Sequence, residues 1–202
     1  MPQLSWARLV SDILSPPVIW VVLALLVAAA YTQSVGEAVQ WAAIYSLLIC
    51  IAPLLFVAFM VWRGKIGDIH MAERRERIVP LLVTTMGALM AFLILWELKA
   101  PPALPLLAFI SLVQIIIMLL ITMAWQISMH TMGITGATVA IGIVFNMALA
   151  MSLVPLIVLV GAARLKLKRH TPAQILAGTL VGALVPITVL LILAVSLKIM
   201  PW

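Results

Sequence analysis

Three histidines stand beside cations or at the head of apolar runs. His70 precedes Glu73-Arg74-Arg75-Glu76-Arg77, His130 lies in Ser128-Met129-His130-Thr131, and His170 closes Arg164-Leu-Lys-Leu-Lys-Arg-His170. Imidazole can act as nucleophile or proton donor near neutral pH. Guanidinium groups match the oxygens of a phosphate. The combination points to handling of an anion. Phosphoryl transfer needs cations and donors around three equatorial oxygens, with attacking and leaving groups in line. Two histidines flanking a guanidinium-lined pocket would supply that without a metal. The single Cys50 lies inside an apolar stretch, so no intrachain disulfide can form, and the sequence predicts no metal and no cofactor.

The elements that must position these groups are set by composition. Of 202 residues, 66% are apolar and only 9% charged, and mean hydropathy is +1.29. A soluble domain has about 45–50% apolar and about 25% charged residues, so this chain lacks the polar surface to cover a globule in water. It reads as an integral membrane protein with no separate soluble domain, residues 1–202 forming one transmembrane domain. A net charge of +6 would suggest nucleic acid in a soluble protein. Here the cations lie between hydrophobic runs, so the expected partners are membrane lipids and a phosphate, not nucleic acid.

Residues 3–14 carry a weakly amphipathic pattern ahead of Pro16-Pro17 and predict a short interfacial helix. Apolar runs follow at about 17–33, 38–62, 78–98, 102–125, 131–148, 150–163 and 171–198. The first is expected to be retained as a span, since Arg8 and Asp12 precede it. Residues 131–163 are 33 positions without a charge. As one helix they would run about 50 Å, against a hydrocarbon core of roughly 30 Å. A turn near Asn146–Ser152 divides them, giving an all-α bundle of about seven spans, or six without that turn.

Tryptophans fall at run ends, Trp20, Trp62 and Trp125 at one interface and Trp41, Trp96 and Trp202 at the other. This topology puts Arg8, Arg63, Lys65, Arg74, Arg75, Arg77, Arg164, Lys166, Lys168 and Arg169 on one side, against Lys99 and Lys198. The positive-inside rule then expects the cation-rich face in the cytoplasm of a cell (plasma) membrane protein. Gly133, Gly136, Gly142 and the Gly178/Gly182 pair allow close helix approach, read as packing within the bundle before dimerisation. Gln114 and Asn146 are expected to hydrogen-bond between helices.

At Arg164–His170 a family resemblance becomes specific. The segment, followed by Thr-Pro-Ala-Gln174 and the small-residue run Leu176-Ala177-Gly178, looks like the third motif, SRx5HxxxD, of the type 2 phosphatidic acid phosphatase (PAP2) superfamily. Ser128–Thr131 resembles that family's second motif, PSGH, and Glu73–Pro80 lies where it has the first, Kx6RP. The resemblance covers about residues 63–198. Ala163 stands for the serine of the third motif, Met129 and Ile127 for the glycine and proline of the second, His70 for the lysine of the first, and Gln174 for the aspartate that orients the nucleophile.

The resemblance implies that His170 takes the phosphoryl group as phosphohistidine and that His130 protonates the leaving oxygen. It makes Arg164 and Arg77 the clamps on the phosphoryl oxygens. Arg74 is a second candidate clamp, three residues from Arg77, and His70 and Ser128 are candidate phosphate contacts. Gln174 or Glu73 would orient a histidine, with Asp68 and Glu76 as other nearby acids. The activity expected is hydrolysis of a phosphomonoester or diphosphate on a lipid, a phosphatidate or a polyprenyl phosphate. The alternatives are a non-catalytic protein binding phospholipid or prenyl phosphate, motivated by Gln174, and a transporter or scaffold, which should show ionisable residues at mid-membrane. A membrane prenyltransferase would need aspartate-rich pairs for Mg²⁺, and Asp12 and Asp68 are the only aspartates.

Overall fold

The computed structural model describes residues 5–69, 71 and 73–196; His70, Lys198 and Trp202 lie outside them. The described residues form an all-α bundle of α1 (Trp6–Ile13), α2 (Pro16–Tyr31), α3 (Val35–Ser46), α4 (Ala52–Trp62), α5 (Ile78–Glu97), α6 (Ala103–Ala124), α7 (Met129–Val144), α8 (Met147–Lys166) and α9 (Pro172–Ser196). Five helices are long and apolar enough to cross a membrane: the continuous Val35–Trp62 unit, Arg75–Glu97, α6, α8 and α9. The α1–α2 pair, bent by 43°, adds a sixth if the two helices together form one broken span, and α7 is a shorter apolar helix. Leu55, Leu120 and Val158 are among the large apolar side chains exposed on its outside. That is the surface of an integral membrane protein, whose solvent is hydrocarbon.

Local chemistry explains the breaks. Ser5, Ser34, Ser128 and Asn146 each accept a backbone N–H at the first turn of the helix they precede, the usual work of an N-cap. The turn inside 131–163 is real and falls at Phe145-Asn146. Asn146 is therefore a cap, its Oδ1 accepting from Leu149 N at 2.8 Å, and not the interhelical partner expected of it. Between α3 and α4 the backbone widens into a π-helical segment, Leu47–Ile51, where Ala52 N–H reaches back to Leu47 O. Pro53 lies just beyond, and a proline ring crowds the carbonyl four residues before it.

Small residues set the helix spacings. Ala24, Ala28, Ala88, Ala91 and Ala108 are fully buried in the main core with Val27, Leu95 and Leu104. A side chain at Gly178 would run into the Ser128 carbonyl, and one at Gly182 into the Met132 carbonyl. The GxxxG pair thus lays α9 directly on the backbone of α7. Gly133 and Gly136 border Trp20 instead. That ring is only 8% exposed and packs in the core, a correction to its expected place in an interfacial belt, whereas Trp62 and Trp96 are exposed. The glycines opposite leave room for the indole inside.

Gly178→Leu and Gly182→Leu should each push α9 off α7 and destabilise the bundle by on the order of 1–3 kcal/mol, the usual cost of overpacking. Gly36→Ala, where an added Cβ meets nothing within 4 Å, should leave it unchanged. Thermal unfolding in detergent reads both.

Candidate functional site

At one end of the bundle meet the first turns of α2, α5, α7 and α9 and the last turns of α6 and α8. Arg77 closes a short 3-10 turn, Arg75–Arg77, at the start of α5, and is 3% exposed. Its Nε donates to Met71 O at 2.9 Å. With the Gln126 amide turned to present its oxygen, Arg77 Nη1 and Nη2 donate to it at 3.2 and 2.7 Å. Arg164, in the last turn of α8, is 2% exposed; its Nη1 donates to Ser11 Oγ at 2.7 Å, and its buried Nε has no hydrogen-bond partner among the described residues.

His170 follows α8 through a tight turn in which Lys168 takes φ 52° and Arg169 N bonds back to Arg164 O at 3.1 Å. The Thr171–Gln174 stretch is a capping box. Thr171 Oγ1 accepts from Gln174 N at 3.4 Å and Gln174 Oε1 from Thr171 N at 3.0 Å. The same Oε1 lies 3.3 Å from His170 Nδ1, so His170 donates there and turns Nε2 free. His130, second residue of α7, is tied through Nε2 to Ser11 on α1, 3.3 Å from Oγ and 3.2 Å from the carbonyl.

Arg77, His130, Arg164, His170 and Asp12 line a single cleft of about 400 Å³, within the range of ligand pockets. Its inner walls are mostly apolar, from Ile49, Pro53 and Val57 to Leu81, Met118 and Met132, with Thr84, Ser111 and Gln114 among them. The mouth is cationic and the interior suits a hydrocarbon.

Of the other residues singled out in the sequence, Arg74 turns its Nη1 to Thr122 O at 2.8 Å and to Met123 O, capping the carbonyl end of α6. It does not line the cleft, so the second-clamp expectation gives way to helix capping. Ser128 is fully buried and accepts from Thr131 N at 3.3 Å, a cap rather than a phosphate contact. Glu73 is exposed and is not among the cleft residues. Glu76 accepts from Gly67 N at 2.8 Å, and Asp68 pairs with Arg169 at 3.5 Å. Gln114 donates from mid-α6 to Gly182 O at 3.3 Å, the interhelical role expected of it.

Sequence reasoning missed Ser11 and Gln126. A lone serine in a surface helix and a glutamine in a connecting loop carry no pattern of their own. In hindsight the one signal for Ser11 is its spacing of four from Ala7, the two small residues on the face of α1 turned to α8.

Burial, then the nearby Arg77 and Arg164 charges, pushes His170 down from 6.5 to about 4, against the opposing pull of Gln174. Its imidazole is thus neutral and nucleophilic through the physiological range. The folded state prefers the neutral ring, so this contribution to stability is full above about pH 6.5 and is lost as pH falls towards about 4.

Searches of protein-family models, of curated proteins and of solved structures find no match to this chain. The fold and site define an α-helical membrane protein with a buried cationic cleft at one end.

In nitrogen-15 NMR of the detergent-solubilised protein, His170 should titrate near 4, and Arg77→Gln, removing the largest charge acting on it, should raise that value partway towards 6.5. No rise on Arg77→Gln would count against guanidinium pressure on this imidazole.

Proposed function

We propose that the protein is a PAP2-like lipid-phosphate phosphatase, cleaving a phosphomonoester or diphosphate on a phosphatidate or polyprenyl chain. The observation that carries this reading is the buried set of Arg77, Arg164 and His170 sharing a cleft with His130 above apolar walls. A guanidinium nitrogen without a partner at that depth costs free energy unless an anion meets it, and Arg164 Nε is such an atom.

In the proposed reaction the phosphate group docks against Arg77 and Arg164 while its lipid chain follows the apolar wall. His170 Nε2 attacks phosphorus; the N–P bond forms as the P–O bond to the lipid breaks, and a proton from His130 passes to the departing oxygen. His130, now neutral, takes a proton from water as that water attacks phosphohistidine, releasing phosphate and restoring both imidazoles. Gln174 holds His170 Nδ1–H but, being an amide, stabilises a charged imidazole less than a carboxylate would. That favours, as a second reading, a protein that binds the lipid phosphate without turning it over.

Phosphate release from a panel of lipid phosphates by purified protein tests the proposal. His170→Ala should abolish turnover while largely keeping lipid binding. His130→Ala should slow esters with poor leaving groups most, by about 10²–10⁴-fold, the usual worth of general acid catalysis. Wild-type release by His170→Ala would refute the nucleophile; binding without release by the unaltered protein would favour the second reading.

We further propose that the protein lies in the plasma membrane with the cleft end in the cytoplasm, the orientation that the cation count favours. Cysteines replacing Lys99 and Lys168, both exposed and in loops at the two ends of the bundle, report it. In intact cells a membrane-impermeant thiol reagent should label position 99 and spare 168, and the reverse pattern would place the site outside.

A further inference from the structure

Ser11 lies 119 positions from His130 and 153 from Arg164, yet it contacts both. Its helix, α1, packs on α8 and buries only Ala7 and Ser11, while Trp6, Leu9 and Ile13 stay exposed. Ser11 is thus the polar member of the buried face.

Its carbonyl is available because α1 is short. In a longer helix Ser15 N–H would reach Ser11 O. Here it bonds Asp12 O at 3.3 Å, just ahead of Pro16, so Ser11 O is one of the carbonyls that a helix end leaves without an intrahelical partner. His130 Nε2 stands 3.2 Å from it. The carbonyl can only accept from that nitrogen, whereas the hydroxyl can accept from it or donate to it. The Ser11 hydroxyl accepts Arg164 Nη1 at 2.7 Å, holding that guanidinium while its Nε stays without a partner.

We infer that Ser11 is a positioning residue for both His130 and Arg164, and that the surface helix α1 is thereby part of the site. The inference rests on the reading of His130 as proton donor and adds the residue that holds its ring. Ser11 thus serves His130 as Gln174 serves His170, each fixing the imidazole through one of its nitrogens.

Measurements on the full chain in lipid nanodiscs test this. Ser11→Ala, which keeps the carbonyl and removes the hydroxyl, should lower kcat/KM on the order of tenfold through misplacement of Arg164, and Ser11→Thr should restore it. Wild-type kcat/KM in Ser11→Ala, or failure of Ser11→Thr to recover, would overturn it. If the unaltered protein releases no phosphate, the phosphatase reading fails separately. The Arg164 guanidinium signals in nitrogen-15 NMR then decide: they are expected ordered in the unaltered protein and Ser11→Thr but averaged in Ser11→Ala, and signals unchanged in Ser11→Ala would overturn the inference.

Discussion

Two glycines one helical turn apart let α9 rest on the carbonyls of α7, with no side chain between the backbones. That approach is what brings the two histidine-bearing helix starts together. Ser128 N donates to Gln174 O at 3.0 Å, and Thr131 Oγ1 to Ile175 O at 3.1 Å, so the first turns of α7 and α9 are stitched side by side. In hydrocarbon there is little hydrophobic drive between helices, and close packing with interhelical hydrogen bonds takes its place. A bulkier residue at either glycine would separate the imidazoles as well as the helices.

Onto that junction the bundle delivers two guanidinium groups, which a membrane protein ordinarily keeps at its wet surface. Arg77 and Arg164 are instead almost wholly covered. Each is held by neutral oxygens, from Met71 and Gln126 in one case and Ser11 in the other. Neutral acceptors orient a guanidinium without pairing its charge; Asp12, Asp68 and Glu76 also act on the two arginines, but the charges felt at His170 are the positive ones. Their field, added to burial, holds His170 neutral. Charge on the arginines and neutrality of the imidazole are thus two sides of one arrangement, suited to an anion that meets a nucleophile.

The cleft changes character with depth. At its mouth are the cations and imidazoles; farther in, the walls come from the π-helical segment and α4, from α5 and from α6. The widened turn at Leu47–Ile51 sits where α5 comes near, close enough that a side chain on Gly87 would meet the Leu48 carbonyl. A proline-induced irregularity inside an apolar helix therefore borders the part of the cleft fitted to a hydrocarbon chain, as π segments often do at functional sites.

Much of this was legible in the amino-acid order. Apolar run lengths against bilayer thickness gave the spans, and an uncharged stretch too long for one crossing required the turn found at Asn146. The loop positions of His130, Arg164 and His170 then followed, because an even number of crossings returns the chain to the same face. Which cations turn inward did not follow. Arg74 and Arg77 are three residues apart and alike in type, yet one caps α6 and the other lines the cleft, a choice made by where the end of α6 happens to lie. Asn146 and Ser128 became caps because helix ends claim nearby side-chain oxygens before distant partners can. Ser11 entered the site only because α1 folds back on α8, and Trp20 left the interface only because glycines on α7 made room for it. Composition and periodicity determine which segments are helices and where they end, since those depend on neighbours in sequence. The partners of a buried polar group depend on which helix packs against it, and only the tertiary structure decides that.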